Sequence, residues 1–271
     1  MRVFFFTRRQ ALFLALLIVT GIGILVGSYK AMPAAVPVDA QPYYKGDGAE
    51  QKVSLAINVD WGEEYIEDIL KVLAENDAKA TFFLTGRWTE HNPDIAFRIK
   101  ESGNELGNHA YSHKSPNKLS YEENRQEITR TAQVIKAATG AETKLYAPPS
   151  GEKNTHVLKA AADLGYSTIL WSLDTIDWKR PPADTIIKKI VAKASGGDII
   201  LAHPTHPTLE ALPTILKELK AKGFVFVTVS QNLGLEALEA SAQIHDNPKP
   251  EPKEQSLTDN DEFVELLEGD D

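Results

Sequence analysis

The chain has 271 residues, 29 Lys and Arg against 38 Asp and Glu for a net charge of -9, 42% hydrophobic residues and no cysteine. Disulfides, cysteine-ligated metals and thiol nucleophiles are thereby excluded, while the apolar content suffices for one large domain with appendages. Residues 245–271 hold ten acids against Lys249 and Lys253, a net -8 that leaves about -1 for the rest and no reason to expect a nucleic-acid partner.

The first segment reads as a membrane signal. Arg2, Arg8 and Arg9 precede an uncharged run over residues 11–27. About 17 apolar residues is short for a bilayer span and long for a secretory signal core, so residues 1–30 are read as an uncleaved signal anchor with its N-terminus inside. The expectation is a single-pass protein of the cell membrane with its folded part outside the cytoplasm; Ala31, Ala34 and Ala35 keep cleavage and secretion as the alternative. Residues 31–51, rich in Pro, Ala and Gly, read as a linker. Residues 240–271, with Asn247-Pro-Lys-Pro-Glu-Pro252, read as a disordered acidic tail.

Between these flanks, residues 52–239 alternate in pattern. Residues 53–59, 80–84, 105–108, 144–147, 167–171, 198–203 and 224–228 read as strands. Helical periodicity covers 63–76, 94–102, 121–139, 154–164, 183–194 and 208–221. Repeated strand and helix units predict a parallel sheet, as a barrel or doubly wound, with chemistry at the carboxyl ends of the strands.

Polar clusters fall at those ends. His109 and His113 lie on one face if their segment turns helically, and such a pair can share a metal; the plainer reading is two loop histidines. Asp60 closes the first strand as a candidate ligand or base, or as the cap of a helix whose positive end Glu63 and Glu64 favour. Tyr146-Ala-Pro-Pro-Ser-Gly151 is a rigid turn able to aim the N–H of Ser150 as an oxyanion donor. Asp174 and Asp177 lie between two indoles, and His203 ends an apolar strand.

In this order, Asn108-His-Ala-Tyr-Ser-His113, Ala147-Pro-Pro-Ser-Gly151, Trp171-Ser-Leu-Asp-Thr-Ile-Asp-Trp178 and Leu201-Ala-His203 resemble the motifs of polysaccharide deacetylases of carbohydrate esterase family 4, with the NodB homology domain. The resemblance spans roughly residues 52–235 and implies an α/β fold, a distorted (β/α) barrel of about seven parallel strands. It also implies removal of acetyl groups from N-acetylated sugars of peptidoglycan or chitin-like glycans. The family's divalent metal, zinc first and cobalt or manganese next, is held by an Asp and two His, for which His109 and His113 match. Members end the first strand with two adjacent Asp, a base and then a ligand; the ungapped equivalents here are Asn58 and Val59, with Asp60 one residue beyond and on the same strand face as Asn58. The third-motif Arg that pairs with the base is Ala147 here, so both members of that charge pair are replaced together. With its Asn-Val-X-Trp-Gly-Glu segment, the chain resembles diverged membrane-anchored deacetylase-like proteins of spore-forming bacteria.

An active site on this plan places His109, His113 and Asp60 around a metal that acidifies water. Ser150 N–H helps hold the oxyanion, and His203, oriented by Asp174, protonates the leaving amine. Asp60 has two candidate roles, base and ligand. Trp61, Trp178, Pro148 and Pro149 line the sugar site, with rim packing the alternative for the indoles. The expected partners are an N-acetylated polysaccharide and, through residues 1–30, the membrane; the protein is expected to be a monomer. The rival is a catalytically impaired glycan-binding module. Retention of both histidines, His203 and Asp174 favours the enzyme, and the altered Asp pair and Arg favour the binder.

Overall fold

In a computed structural model of the protein, residues 40–48 and 50–236 are described. The expected anchor and the acidic tail lie outside them, and no helix among the described residues is long and apolar enough to cross a membrane.

Eight strands alternate with helices. They are β1 (Lys52–Val59), β2 (Ala80–Leu84), β3 (Glu105–Asn108), β4 (Leu145–Tyr146), β5 (Ser167–Thr168), β6 (Leu173–Asp174), β7 (Ile199–Ala202) and β8 (Val225–Phe226). The helices are α1 (Glu63–Glu75), α2 (Gly86–His91), α3 (Pro93–Glu101), α4 (Tyr121–Thr139), α5 (Thr155–Asp163), α6 (Ala183–Lys193), α7 (His206–Ala221) and α8 (Val229–Leu233). Strand order is β5-β4-β3-β2-β1-β7-β6, every pairing is parallel, and β8 joins the start of β1.

The distorted barrel follows from how one stretch of chain is shared. β5 pairs with β4 and β6 pairs with β7, so the two edges of the sheet are one segment pinched at residues 169–172. The single strand expected over 167–171 is therefore two short ones. At the pinch the backbone turns to a third partner: Tyr43 N–H donates to Thr168 O and Leu170 N–H to Tyr43 O, both at 2.8 Å. Lys45 bridges Asp198 and its ammonium lies 3.0 Å from that carboxylate. The end of the stretch read as linker is thus part of the barrel wall.

Side-chain alternation along β1 divides its residues between an outer and an inner core, and a third apolar cluster gathers around Ile128, Tyr146 and Val157. Leu55, Ile57 and Val59 of β1 pack outward with Ile66 and Ile69 of α1, while Ala56 faces inward with Phe83, Ala147 and Ile199. The helices are delimited by ordinary signals. α4 starts with a capping box of Ser120 and Glu123 and ends at Gly140, φ 73°, as its pattern predicts. α2 and α8, six and five residues long, were not legible as helices. They are too short for a periodicity to register.

Candidate active site

The carboxyl ends of the strands collect the polar clusters. In β1 the alternation that buries Val59 in the outer core turns Asn58 and Asp60 inward. Val59 therefore cannot reach the mouth. Asn58 is buried with its Oδ1 lacking a hydrogen-bond partner. Asp60 Oδ1 accepts from Thr85 Oγ1 at 2.8 Å, and Arg87 Nη2 lies 3.4 Å from both carboxylate oxygens. Asp60 is not the cap of α1. That place belongs to Gly62, at φ 88°, where a Cβ would stand 2.1 Å from Pro204 O, so close approach of the β1 and β7 ends requires glycine.

His109 is fully within the protein, and its Nδ1 lies 2.7 Å from Ala147 O. A carbonyl only accepts, so Nδ1 carries the proton and Nε2 keeps its lone pair. Burial first, then the neighbouring His113 and His203, lower its pKa to about 3 against the opposing effect of the Ala147 bond, and the ring stays neutral. The His113 ring meets it edge-on at 5.0 Å. Helical spacing does not bring them together: the segment is a loop with positive φ at Ala110 (61°) and His113 (53°). Glu127 of α4 holds this loop, accepting from the N–H groups of Tyr111 (2.9 Å) and Ser112 (2.7 Å) and from Ser112 Oγ (2.8 Å). α2 adds Gly86 N–H to Ala110 O and Arg87 N–H to Tyr111 O.

His203 is oriented by Asp177 rather than by Asp174. Asp177 Oδ1 lies 2.8 Å from His203 Nδ1, and its Oδ2 accepts from His203 N–H at 2.6 Å and Thr208 Oγ1 at 2.5 Å. Burial works to raise the Asp177 pKa, but the His203 contacts and the Thr208 bond outweigh it and hold the carboxyl below its usual range. Asp174 instead accepts from Ile176 N–H at 2.7 Å. The sequence offers Asp174 and Asp177 alike, and the choice is made only in the fold, where Asp177 meets His203 and Thr208, 26 and 31 residues away.

Trp61 stacks on His203, rings 6.0 Å apart and 7° from parallel, and remains 39% exposed. Trp178 is 51% exposed. Pro148 and Pro149 are buried and shape the turn rather than offering a surface. Ser150 is exposed in a left-handed conformation (φ 57°) within the turn Pro149–Gly151. Trp171 packs so closely on Gly151 that a Cβ there would meet its Cη2 at 2.7 Å.

A hydrolytic metal site needs three convergent protein donors and one open position. His109 has the arrangement expected of a ligand, one ring nitrogen anchored to a carbonyl and the other available. His113 supplies a second imidazole. Asp60 contacts Thr85 and Arg87, and no three His, Cys, Asp or Glu among the described residues come together to hold a metal ion. This donor set does not fit the three-ligand site.

The sequence profile described as polysaccharide deacetylase matches residues 45–169. A peptidoglycan-N-acetylglucosamine deacetylase of Bacillus cereus is 36% identical over 193 residues, covering 69% of this chain and 70% of the relative. The uncharacterized protein YlxY of Bacillus subtilis is 37% identical over 191 residues; the match covers 70% of this chain and spans only 60% of YlxY. The crystal structure of BA3943, a CE4 family pseudoenzyme from Bacillus anthracis, is similar with a TM-score of 0.70 and 41% identity, covering 72% of this chain and 69% of that one. With the barrel, the ordered motifs and relatives of this identity, the chain belongs to the polysaccharide deacetylase family, carbohydrate esterase family 4.

Proposed function

We propose that the barrel mouth binds an N-acetylated cell-wall glycan, peptidoglycan first, and that acetamide hydrolysis in the native sequence is strongly impaired. The observation that carries this reading is that, among the described residues, His109 and His113 have no third His, Asp or Glu converging with them to hold a metal ion. The likeness to a deacetylase of peptidoglycan N-acetylglucosamine supports the substrate class, and the likeness to a pseudoenzyme supports the impairment. Exposed Trp61 beside His203 offers the flat apolar face on which a sugar ring stacks. His203, fixed through Nδ1, presents Nε2 to a bound group.

The second reading is an active metal-dependent deacetylase anchored outside the cytoplasm, with Ser150 N–H as oxyanion donor. It is favoured by the Asp177–His203–Thr208 network, which is the acid half of such a site, and by the free Nε2 of His109.

Glycan binding is tested by calorimetry of the full-length protein with N-acetylated peptidoglycan oligomers and with the same oligomers after chemical de-N-acetylation. The expected result is saturable binding to the acetylated strands, weakened at least tenfold, about 1.4 kcal/mol, by removal of the acetyl groups. Equal affinity for both, or none for either, contradicts the reading.

A further inference from the structure

The loop from Asp174 to α6 puts two cations at the sugar-binding rim. It contains the short turn Asp177–Lys179, bracketed by Ile176 at φ 60° and Arg180 at φ 53°. Positive φ at a β-branched Ile is disfavoured and persists only where surroundings impose it. Here they do: buried Asp177 is fastened to His203 and Thr208, Arg180 N–H donates to Asp177 O at 2.7 Å, and Ile176 N–H donates to Asp174. The exposed Lys179 and Arg180 are therefore presented by a braced backbone rather than by a loose loop.

Both cations sit on indoles. Arg180 Cζ is 5.9 Å from the centre of the Trp61 ring, the ring that stacks on His203, and Lys179 Nζ is 4.9 Å from that of Trp178. Neither forms an ion pair among the described residues. With a net charge of about -1 outside residues 245–271, this pair is not part of a generally basic surface. A glycan that reaches Trp61 therefore meets Arg180 at the same part of the rim.

We propose that Lys179 and Arg180 make the mouth selective for glycans bearing carboxylates, the lactyl carboxylate of N-acetylmuramic acid or those of its peptide, over neutral chitin-type strands. This inference rests on the glycan-binding reading and narrows it to an acidic substrate class. Exposed ion pairs are individually weak and screened by salt, so the selectivity is modest and falls at high ionic strength.

The test uses full-length protein, purified in detergent, and four probes of equal glycan length: peptide-free N-acetylglucosamine–N-acetylmuramic acid oligomers, their methyl esters, peptide-bearing strands, and chitin oligomers. The variant Lys179→Gln with Arg180→Asn removes both charges while keeping a residue that tolerates positive φ. Wild-type protein is expected to bind a carboxylate form roughly tenfold tighter than ester or chitin at low salt, and the double variant to bind all alike. The exchanged pair, Lys179→Arg with Arg180→Lys, keeps the preference. Preference for peptide-free acid assigns the lactyl group, and preference confined to peptide-bearing strands assigns the peptide. Equal wild-type affinity for all four overturns the inference and leaves glycan binding standing, whereas no binding to any overturns both.

Discussion

Asp177 illustrates how one buried side chain organises the mouth. Its carboxylate satisfies the backbone and ring of His203 and the hydroxyl of Thr208, so removing its charge leaves donors without a matched acceptor. Asp177→Asn is expected to lower stability at pH 7 by about 3 kcal/mol. The pH dependence follows from the depressed folded-state pKa. The stabilisation by the ionised carboxylate is complete above the ordinary pKa of an Asp and is lost as pH falls through the lower folded value. Urea midpoints of the two proteins should therefore differ at pH 7 and draw together below about pH 4; a constant gap would show that ionisation of Asp177 contributes nothing. Arg87→Ala provides the contrast. Its side chain is 53% exposed, so the ion pair with Asp60 should be worth less than about 1 kcal/mol of stability despite its place at the mouth.

At the scale of elements, the loop carrying the histidines is defined by what grips it. Glu127 binds three donors of Tyr111 and Ser112, and its partners span two residues held between the positive-φ positions Ala110 and His113. Glu127→Gln keeps the shape but removes the charge from three acceptor contacts. It is expected to cost about 1–3 kcal/mol and to raise hydrogen exchange at the Tyr111 and Ser112 amides; unchanged exchange there would remove Glu127 from this role. Much of the element pattern was legible from sequence. The helix expected over 121–139 has those bounds because Ser120, Glu123 and Gly140 mark both ends and the apolar spacing between them is regular. What was not legible depends on tertiary partners. The four-residue spacing of His109 and His113 suggested a helical face, yet a loop with two left-handed residues brings the rings together. Asp174 and Asp177 are equivalent as sequence, and only the turn at Ile176 sends the second, not the first, beneath His203. Asp60 reads as a ligand, a base or a helix cap because nothing local ties it to Thr85 and Arg87, which arrive on the cap and first turn of α2.

The whole molecule is a barrel whose seam needs a segment from outside the alternating pattern. Tyr43 bridges residues 168–170, and Gly46 N–H donates to Gly197 O at 2.8 Å beside the Lys45–Asp198 pair. A chain beginning at residue 52 should be less stable than one beginning at residue 40 by about 4 kcal/mol, one for each of the four backbone hydrogen bonds lost, the fourth being Val225 N–H to Gln51 O. Equal denaturation midpoints would mean that the seam is closed without this segment. At this scale the fold is the family's barrel, with the imidazoles of His109, His113 and His203 at its mouth and Asp60 in contact with Thr85 and Arg87.

The most direct measurement is zinc titration of the full-length protein, with acetate release from N-acetylated peptidoglycan oligomers followed in the same samples. Two imidazoles without a convergent carboxylate predict a dissociation constant of about 10 µM or weaker and no zinc-dependent acetate. A nanomolar site, lost in both His109→Ala and His113→Ala and accompanied by acetate release that EDTA abolishes, would contradict the account.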